Sequence, residues 1–189
     1  RDLLKNLDYP VAAPSANIST RLSSVKPSDV KEEFGSKIKY VLNGGKSKIG
    51  VESTILNLLE KPSLLRYGGL DTKKIENVLK KKILINTNSK NKLSPGLFPL
   101  HYSPGIPLRR NVKKPKKDEA FLLIKKRQSN LKKYYYLSKV KNIEEAAKNL
   151  YSTLRKIKND GYKKIAVEKI PNKGLGKTIN DRLKRASKY

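Results

Sequence analysis

Cysteine is absent from this 189-residue sequence, and histidine occurs once, at His101. Without cysteine there is neither a disulfide framework nor a thiolate metal site, and a reducing cytoplasm is the expected compartment. A single histidine leaves no imidazole cluster for a metal, and a Ser/His/Asp relay would consume it. Acidic residues are scarce too: 16 Asp and Glu face 44 Lys and Arg, a net charge of +28. Long apolar runs are missing. Stretches such as AFLLI at 120–124 suit strands and fall far short of the roughly 20 residues of a membrane span. Neither a Walker loop nor a GxGxxG pattern occurs; NKGLGK at 172–177 is only a fragment of such patterns.

What is present is lysine, spread over nearly the whole length. A charge of this size draws in polyanions. Lysine is nonetheless a poorer phosphate fork than arginine, and the plainer account is a composition bias that decorates every solvent face. The opening RDLL reads as the middle of an amphipathic helix, with no signal-peptide pattern, as if the chain began inside a domain.

Periodicity divides the chain in two. Short strands are expected at 9–13, 37–42, 53–59 and 64–66, and a helix at 27 onward capped by Ser28 or Asp29. A further helix is expected over 71–81, starting at Asp71 with Ile75, Val78 and Leu79 on one face. Residues 86–107 resist secondary structure, and the four prolines of SPGLFPLHYSPGIP make that stretch stiff rather than merely flexible. After a second basic linker at 113–117 come strands at 120–124, 134–137 and 164–170. A long helix over 142–160 opens with a capping-box-like Asn142 and Glu145, and a final helix carries Ile179, Leu183 and Ala186. The expected architecture is therefore two α/β units joined by a proline-rich tether, with boundaries at 1–85, 86–118 and 119–189.

Four segments carry hydroxyls or a lone cation among small residues. PVAAPSANIS at 10–19 is nearly free of charge, and Ser15, Asn17, Ser19 and the following Ser23 are neutral groups suited to phosphate or carboxylate oxygens. Taken alone, such a segment is more commonly a polar turn capped by Asn and Ser. GGKSKIGVEST at 44–54 places Glu52, Ser53 and Thr54 at the mouth of a strand, or is a plain loop feeding it. Arg66 in LLRYGG stands at a strand end, where a charge-assisted fork is worth about 1.5–3 kcal/mol, or is one more surface cation. His101 and Tyr102 sit in the tether, where the tyrosine can stack on a base or donate to a phosphate, or pin the tether.

In order, PVAAPSANIS, GVESTI, LLRYGG, SPGLFPLHYSPGIPL and GLGKTINDRLKRAS resemble threonylcarbamoyl-AMP synthase. The match is to the long form, with a YrdC-like twisted-sheet domain, a proline-rich linker and a small Rossmann-like α/β C-terminal domain. The resemblance covers essentially the whole chain. It implies condensation of L-threonine, bicarbonate and ATP into threonylcarbamoyl-AMP with release of pyrophosphate. A separate threonylcarbamoyl transferase complex then modifies tRNA, and contact of the chain itself with tRNA is a further expectation. It also implies Mg²⁺ with the triphosphate and no membrane.

Carried over motif by motif, Ser15, Ser23, Arg66 and Tyr102 would bind ATP, with Tyr102 bringing the tether down as a lid. Ala13, through its backbone, and Ser53 would bind threonine, and Asn17 would orient the loop. No residue has the look of a general base, a nucleophile or a metal ligand, so catalysis would rest on positioning and neutralisation of developing charge. The chain departs from the family after Ser19, at Ser23-Ser24-Val25 and at Tyr67. The family's Lys-Arg-Pro nucleotide motif would precede Arg1, so this piece alone is expected not to turn over. The alternatives are a basic, non-catalytic RNA-binding module and a YrdC-like enzyme that makes a carbamoyl adenylate for hydrogenase maturation.

Overall fold

The computed structural model describes residues 2–59, 61–87, 98–127 and 131–188. Residues 88–97, which hold the start of the proline-rich motif, lie outside that set. The first part contains α1 (Asp2–Lys5), α2 (Pro27–Phe34), β1 (Ile55–Asn57), β2 (Ser63–Arg66), α3 (Thr72–Leu79) and β3 (Leu84–Ile85). Its sheet has the order β1-β2-β3, antiparallel between β1 and β2 and parallel between β2 and β3. Being central, β2 is buried along its whole length, Arg66 included.

Helix α2 starts at Pro27, whose fixed φ suits a first turn. Neither Ser28 nor Asp29 caps it. Lys26 occupies the cap position, and Asp29 instead accepts from the Val25 amide at 2.9 Å. Asp71 does cap α3, accepting from Lys73 N at 3.1 Å, and the helix stops at Leu79 because Lys80 turns left-handed. Strands expected at 9–13 and 37–42 do not form. A strand needs a neighbour for its ladder, and those residues have none among the described ones.

The second part contains β4 (Leu108–Arg109), β5 (Ala120–Lys125), β6 (Tyr134–Ser138), α4 (Ile143–Asn159), β7 (Ile165–Val167) and α5 (Leu175–Ala186). All its strand pairs are parallel, in the order β4-β7-β5-β6. The architecture is therefore mixed α/β with a parallel sheet. Strand β4 lies within the stretch read as linker at 86–118: Ile165 N donates to Pro107 O at 2.9 Å, drawing the tether's end onto the sheet edge.

Successive residues of β5 face opposite ways. Ala120, Leu122 and Ile124 meet the apolar stripes of α4 and α5, whereas Phe121 and Leu123 join Val112 and Ala166 on a face no helix contributes to. Leu150, Leu154, Ile157, Ile179 and Leu183 are fully buried on the helical side, where each truncation to alanine costs about 2–5 kcal/mol. The Asn142 cap holds, with Glu145 N donating to its side chain at 2.7 Å. The Glu145 carboxylate does not complete the box; it accepts from Ser138 Oγ at 2.6 Å, and Ser138 Oγ accepts from Asn142 N.

Leu22, Val25 and Tyr102 belong to the same cluster as the α4 and α5 stripes, so the two parts share one core. Exposed large apolar side chains are distributed otherwise. Of the eighteen among the described residues, fifteen lie between Leu3 and Ile85. The first part leaves apolar surface uncovered that the second part does not.

Candidate functional site

Gly50, at φ +78°, lies against the Lys148 backbone of α4, where any Cβ would collide. That close approach carries the GVEST loop into the junction between the two parts and turns Glu52 inward. Glu52 is the only acid between Glu33 and Glu60. Its carboxylate accepts from Ser23 Oγ at 2.6 Å, from Tyr151 OH at 2.9 Å and from Arg182 Nε at 2.9 Å.

Arg182, on α5, is 1% exposed. Its Nη2 donates to Tyr67 O at 2.8 Å, its Nη1 meets Asp181 at 2.7 Å, and its guanidinium carbon sits 4.4 Å from the Tyr102 ring centre. Beside it Thr178 Oγ donates to Gly68 O at 2.8 Å, and Gly69 N donates to Glu52 O at 2.8 Å. Gly68 must be glycine, since a Cβ there would run into the Ser53–Thr54 backbone. The motifs GVEST, LLRYGG and the α5 segment are thus laced together.

Burial drives the Glu52 carboxyl upward, but Arg182 with the Ser23 and Tyr151 hydroxyls outweighs it and holds the group below its ordinary 4.5. For Arg182 burial opposes the charge, and Tyr151, Glu52, Tyr102 and Asp181 overcome it, so its pKa is raised. The pair is therefore ionised. Burial also raises the Tyr102 and Tyr151 hydroxyls. It lowers the His101 imidazole, which Glu52 pulls up and Arg182, Arg185 and Arg66 push down.

Of the residues singled out in the sequence, Ser23 and Tyr102 touch this pair, and Ser53 and Arg66 adjoin it. Ser23 bonds Glu52, and Ser53, next in the chain, accepts from Arg66 twice: backbone O from Nε and Oγ from Nη2, both at 3.1 Å. Tyr102 is 1% exposed, with its ring stacked 5.9 Å from that of Tyr151 and its hydroxyl buried without a hydrogen-bond partner. Its φ of +59° is a strained conformation for tyrosine, costing about 1–3 kcal/mol that the ring contacts must offset. Its amide donates to His101 Nδ1 at 3.0 Å. The ring packs against α4 and α5 and fixes the tether there.

The PVAAPSANIS segment is placed differently. Ala13 and Ser15 are exposed, and no described side-chain bond joins either to the cluster. Asn17 ties its own loop, with Nδ2 donating to Ile18 O at 2.9 Å and to Arg21 O at 3.4 Å. Ser24 Oγ donates to Ala16 O at 2.7 Å, linking that loop to the segment that carries Ser23. A polar cavity of about 200 Å³, lined by Arg21, Glu33, Ser103 and Arg155 among others, adjoins this loop and not the Glu52 cluster.

Sequence reasoning missed Glu52, Tyr151, Thr178 and Arg182 as a unit. Glu52 carried a signal, being a solitary acid among lysines at a strand entrance. Arg182 carried almost none, standing beside Leu183 in a helix with many cations. No group of acidic or histidine side chains suited to a metal occurs among the described residues, and both Glu52 oxygens are engaged. The described residues therefore offer Mg²⁺ no carboxylate or imidazole cluster of their own.

Two family descriptions match: "Threonylcarbamoyl-AMP synthase, C-terminal domain" over residues 70–188 and "Telomere recombination" over residues 1–68. Among curated proteins, the threonylcarbamoyl-AMP synthase of Pyrococcus abyssi is 32% identical over 207 residues, covering 99% of this chain and 60% of that protein. That of Bacillus subtilis is 31% identical over 207 residues, covering 98% and 59%. The crystal structure of P. abyssi Sua5 complexed with L-threonine is similar with a TM-score of 0.81 at 32% identity, over 94% of this chain and 58% of that one. The chain spans about 60% of the length of the curated relatives it matches.

Proposed function

The chain belongs to the threonylcarbamoyl-AMP synthase family, and from that premise we propose that it is the part of such a synthase that holds the reacting groups of ATP and L-threonine. Residues 1–85 would complete the YrdC-like domain, residues 86–118 the linker, and residues 119–189 the small Rossmann-like domain. The product requires a carbamate oxygen, derived from bicarbonate and the threonine amine, to form a bond to the α-phosphorus of ATP. The α–β anhydride bond breaks, and pyrophosphate leaves. The enzyme would accordingly be a nucleotidyltransferase.

One observation carries this reading: Ser23 and Tyr102 contact the Glu52–Arg182 ion pair directly, and Ser53, next to Glu52 in the chain, is held by Arg66. Arg66 would face the nucleotide phosphates and Ser53 the threonine. Ser15 and Ala13 would contribute from the exposed loop that Asn17 shapes, and Tyr102 would set the tether above the nucleotide. With no general base in the cluster, acceleration would come from orientation and from fixed dipoles and charges. Neither the non-catalytic RNA module nor the hydrogenase-maturation enzyme is favoured, because the C-terminal family match takes in residues 70–188.

Pyrophosphate release dependent on threonine, bicarbonate and ATP tests the proposal. It is expected from the chain extended by the family's Lys-Arg-Pro half-domain, and not from residues 1–189 alone. Threonine-independent release from the extended protein would refute it. Hand-over of the product to a transferase complex and contact with tRNA belong to the same proposal. Charge favours the second: residues 109–141 carry thirteen basic and two acidic residues, a net +11 of the chain's +28.

A further inference from the structure

We propose that Arg182, contributed by the C-terminal domain, is a positioning residue of the candidate site. It reaches no substrate group itself. Its side chain instead fixes three segments at once: the GVEST loop through Glu52, the LLRYGG turn through Tyr67 O, and the tether through the Tyr102 ring. Those segments supply Ser53, Arg66 and His101–Tyr102. The inference rests on the synthase reading of the site and adds a reason for the domain's presence: without α5 the loops that handle ligand would lack a common reference.

Three observations point to positioning and not to bulk packing. A guanidinium is the only side chain whose planar fork can donate to a carboxylate and a carbonyl while its face lies on a ring. Arg182 uses all three modes, with its remaining Nη1 on Asp181. Glu52 is likewise committed on both oxygens, to Ser23 on one side and Tyr151 and Arg182 on the other. Finally, Gly69 N donates to Glu52 O and Thr178 Oγ to Gly68 O, so a displacement of Glu52 or of α5 must move the turn that follows Arg66.

The test uses the extended protein with Arg182→Lys, which keeps a cation facing Glu52 but cannot reach Tyr67 O and cover Tyr102 together. Tyr151→Phe, which keeps the stacked ring and loses one donor to Glu52, is the milder companion. Displacing reacting groups by about 1 Å lowers turnover about a hundredfold. A kcat loss of that order is expected for Arg182→Lys, measured well below its melting temperature, with a smaller loss for Tyr151→Phe. Amide hydrogen exchange supplies a second readout. Protection should fall at Gly69 and Ser103 while the α4 amides keep theirs. Values of kcat and both KM within twofold of the parent per folded molecule, or a uniform loss of protection, would overturn the proposal. If the parent shows no threonine-dependent turnover, the synthase reading fails, and the exchange pattern alone still decides whether Arg182 positions these loops.

Discussion

Replacing Arg155 with methionine is expected to detach the first part of the chain from α4 before it unfolds anything else. The Arg155 side chain is 10% exposed and bridges three groups. Nη1 meets Glu33 Oε2 at 3.1 Å, Nη2 donates to Leu22 O at 3.3 Å, and Nε lies 3.7 Å from Asp29 Oδ1. Methionine retains an adaptable apolar stem of similar reach, so the loss is one of charge more than of volume. Asp29, 1% exposed, is left with only the Val25 amide. Breaking a buried ion pair from one side costs about 3–5 kcal/mol. For a chain of this size each kcal/mol shifts Tm by about 2–4 °C, which gives a fall of about 6–20 °C. Thermal melts at neutral pH measure it. Adding Asp29→Asn to Arg155→Met should recover about 1 kcal/mol or more, since it removes the stranded anion. Limited proteolysis should meanwhile find new cuts in residues 16–26. A Tm within about 2 °C of the parent, or no recovery in the double variant, would refute the reasoning.

Three further outcomes follow from the same geometry. Because the Glu52 carboxyl is held below 4.5, its contribution is fully present above that pH and is lost on acidification through the lowered value. The stability gap between the parent and Glu52→Gln should therefore be widest near neutrality and close at low pH; a gap that widens on acidification would contradict the assignment. Gly68→Ala forces a Cβ into the Ser53–Thr54 backbone and should cost more stability than the same change at Gly44, where nothing lies within 4 Å, as paired urea melts would show. Asn142→Ala removes a helix cap and should cost about 1 kcal/mol, readable in the same melts, with Asn142→Asp restoring it.

The second part of the chain was the more legible. Its long helix announces itself by an apolar stripe and a side-chain cap, both local properties, and the observed α4 falls within one residue of the expected limits at each end. Strand β5 reads as an unbroken apolar run because parallel strands are covered on both faces. The first part depends on partners that local pattern cannot supply. Residues 37–42 alternate as a strand should, yet pairing is a property of two segments, and no described segment pairs with them. Helix α2 begins at Pro27, one and two residues ahead of Ser28 and Asp29, because proline fixes the first φ, which frees Asp29 to serve Val25 and Arg155. The Glu52–Arg182 contact spans 130 residues, and nothing in either neighbourhood names the other. What could be read was the order of the motifs; that Ser23, Tyr151 and Arg182 meet at Glu52 is a tertiary fact.

The apolar side chains left bare between Leu3 and Ile85 set how the chain should behave as a colloid. Patches of that kind attract one another, while a charge of +28 keeps molecules apart over a distance set by dissolved ions. That range shrinks from about 10 Å at 0.1 M salt to about 3 Å at 1 M. Solutions should scatter light as separate particles in dilute buffer and as growing clusters when salt is added, with lysine serving as a spacer between molecules as much as a lure for anions.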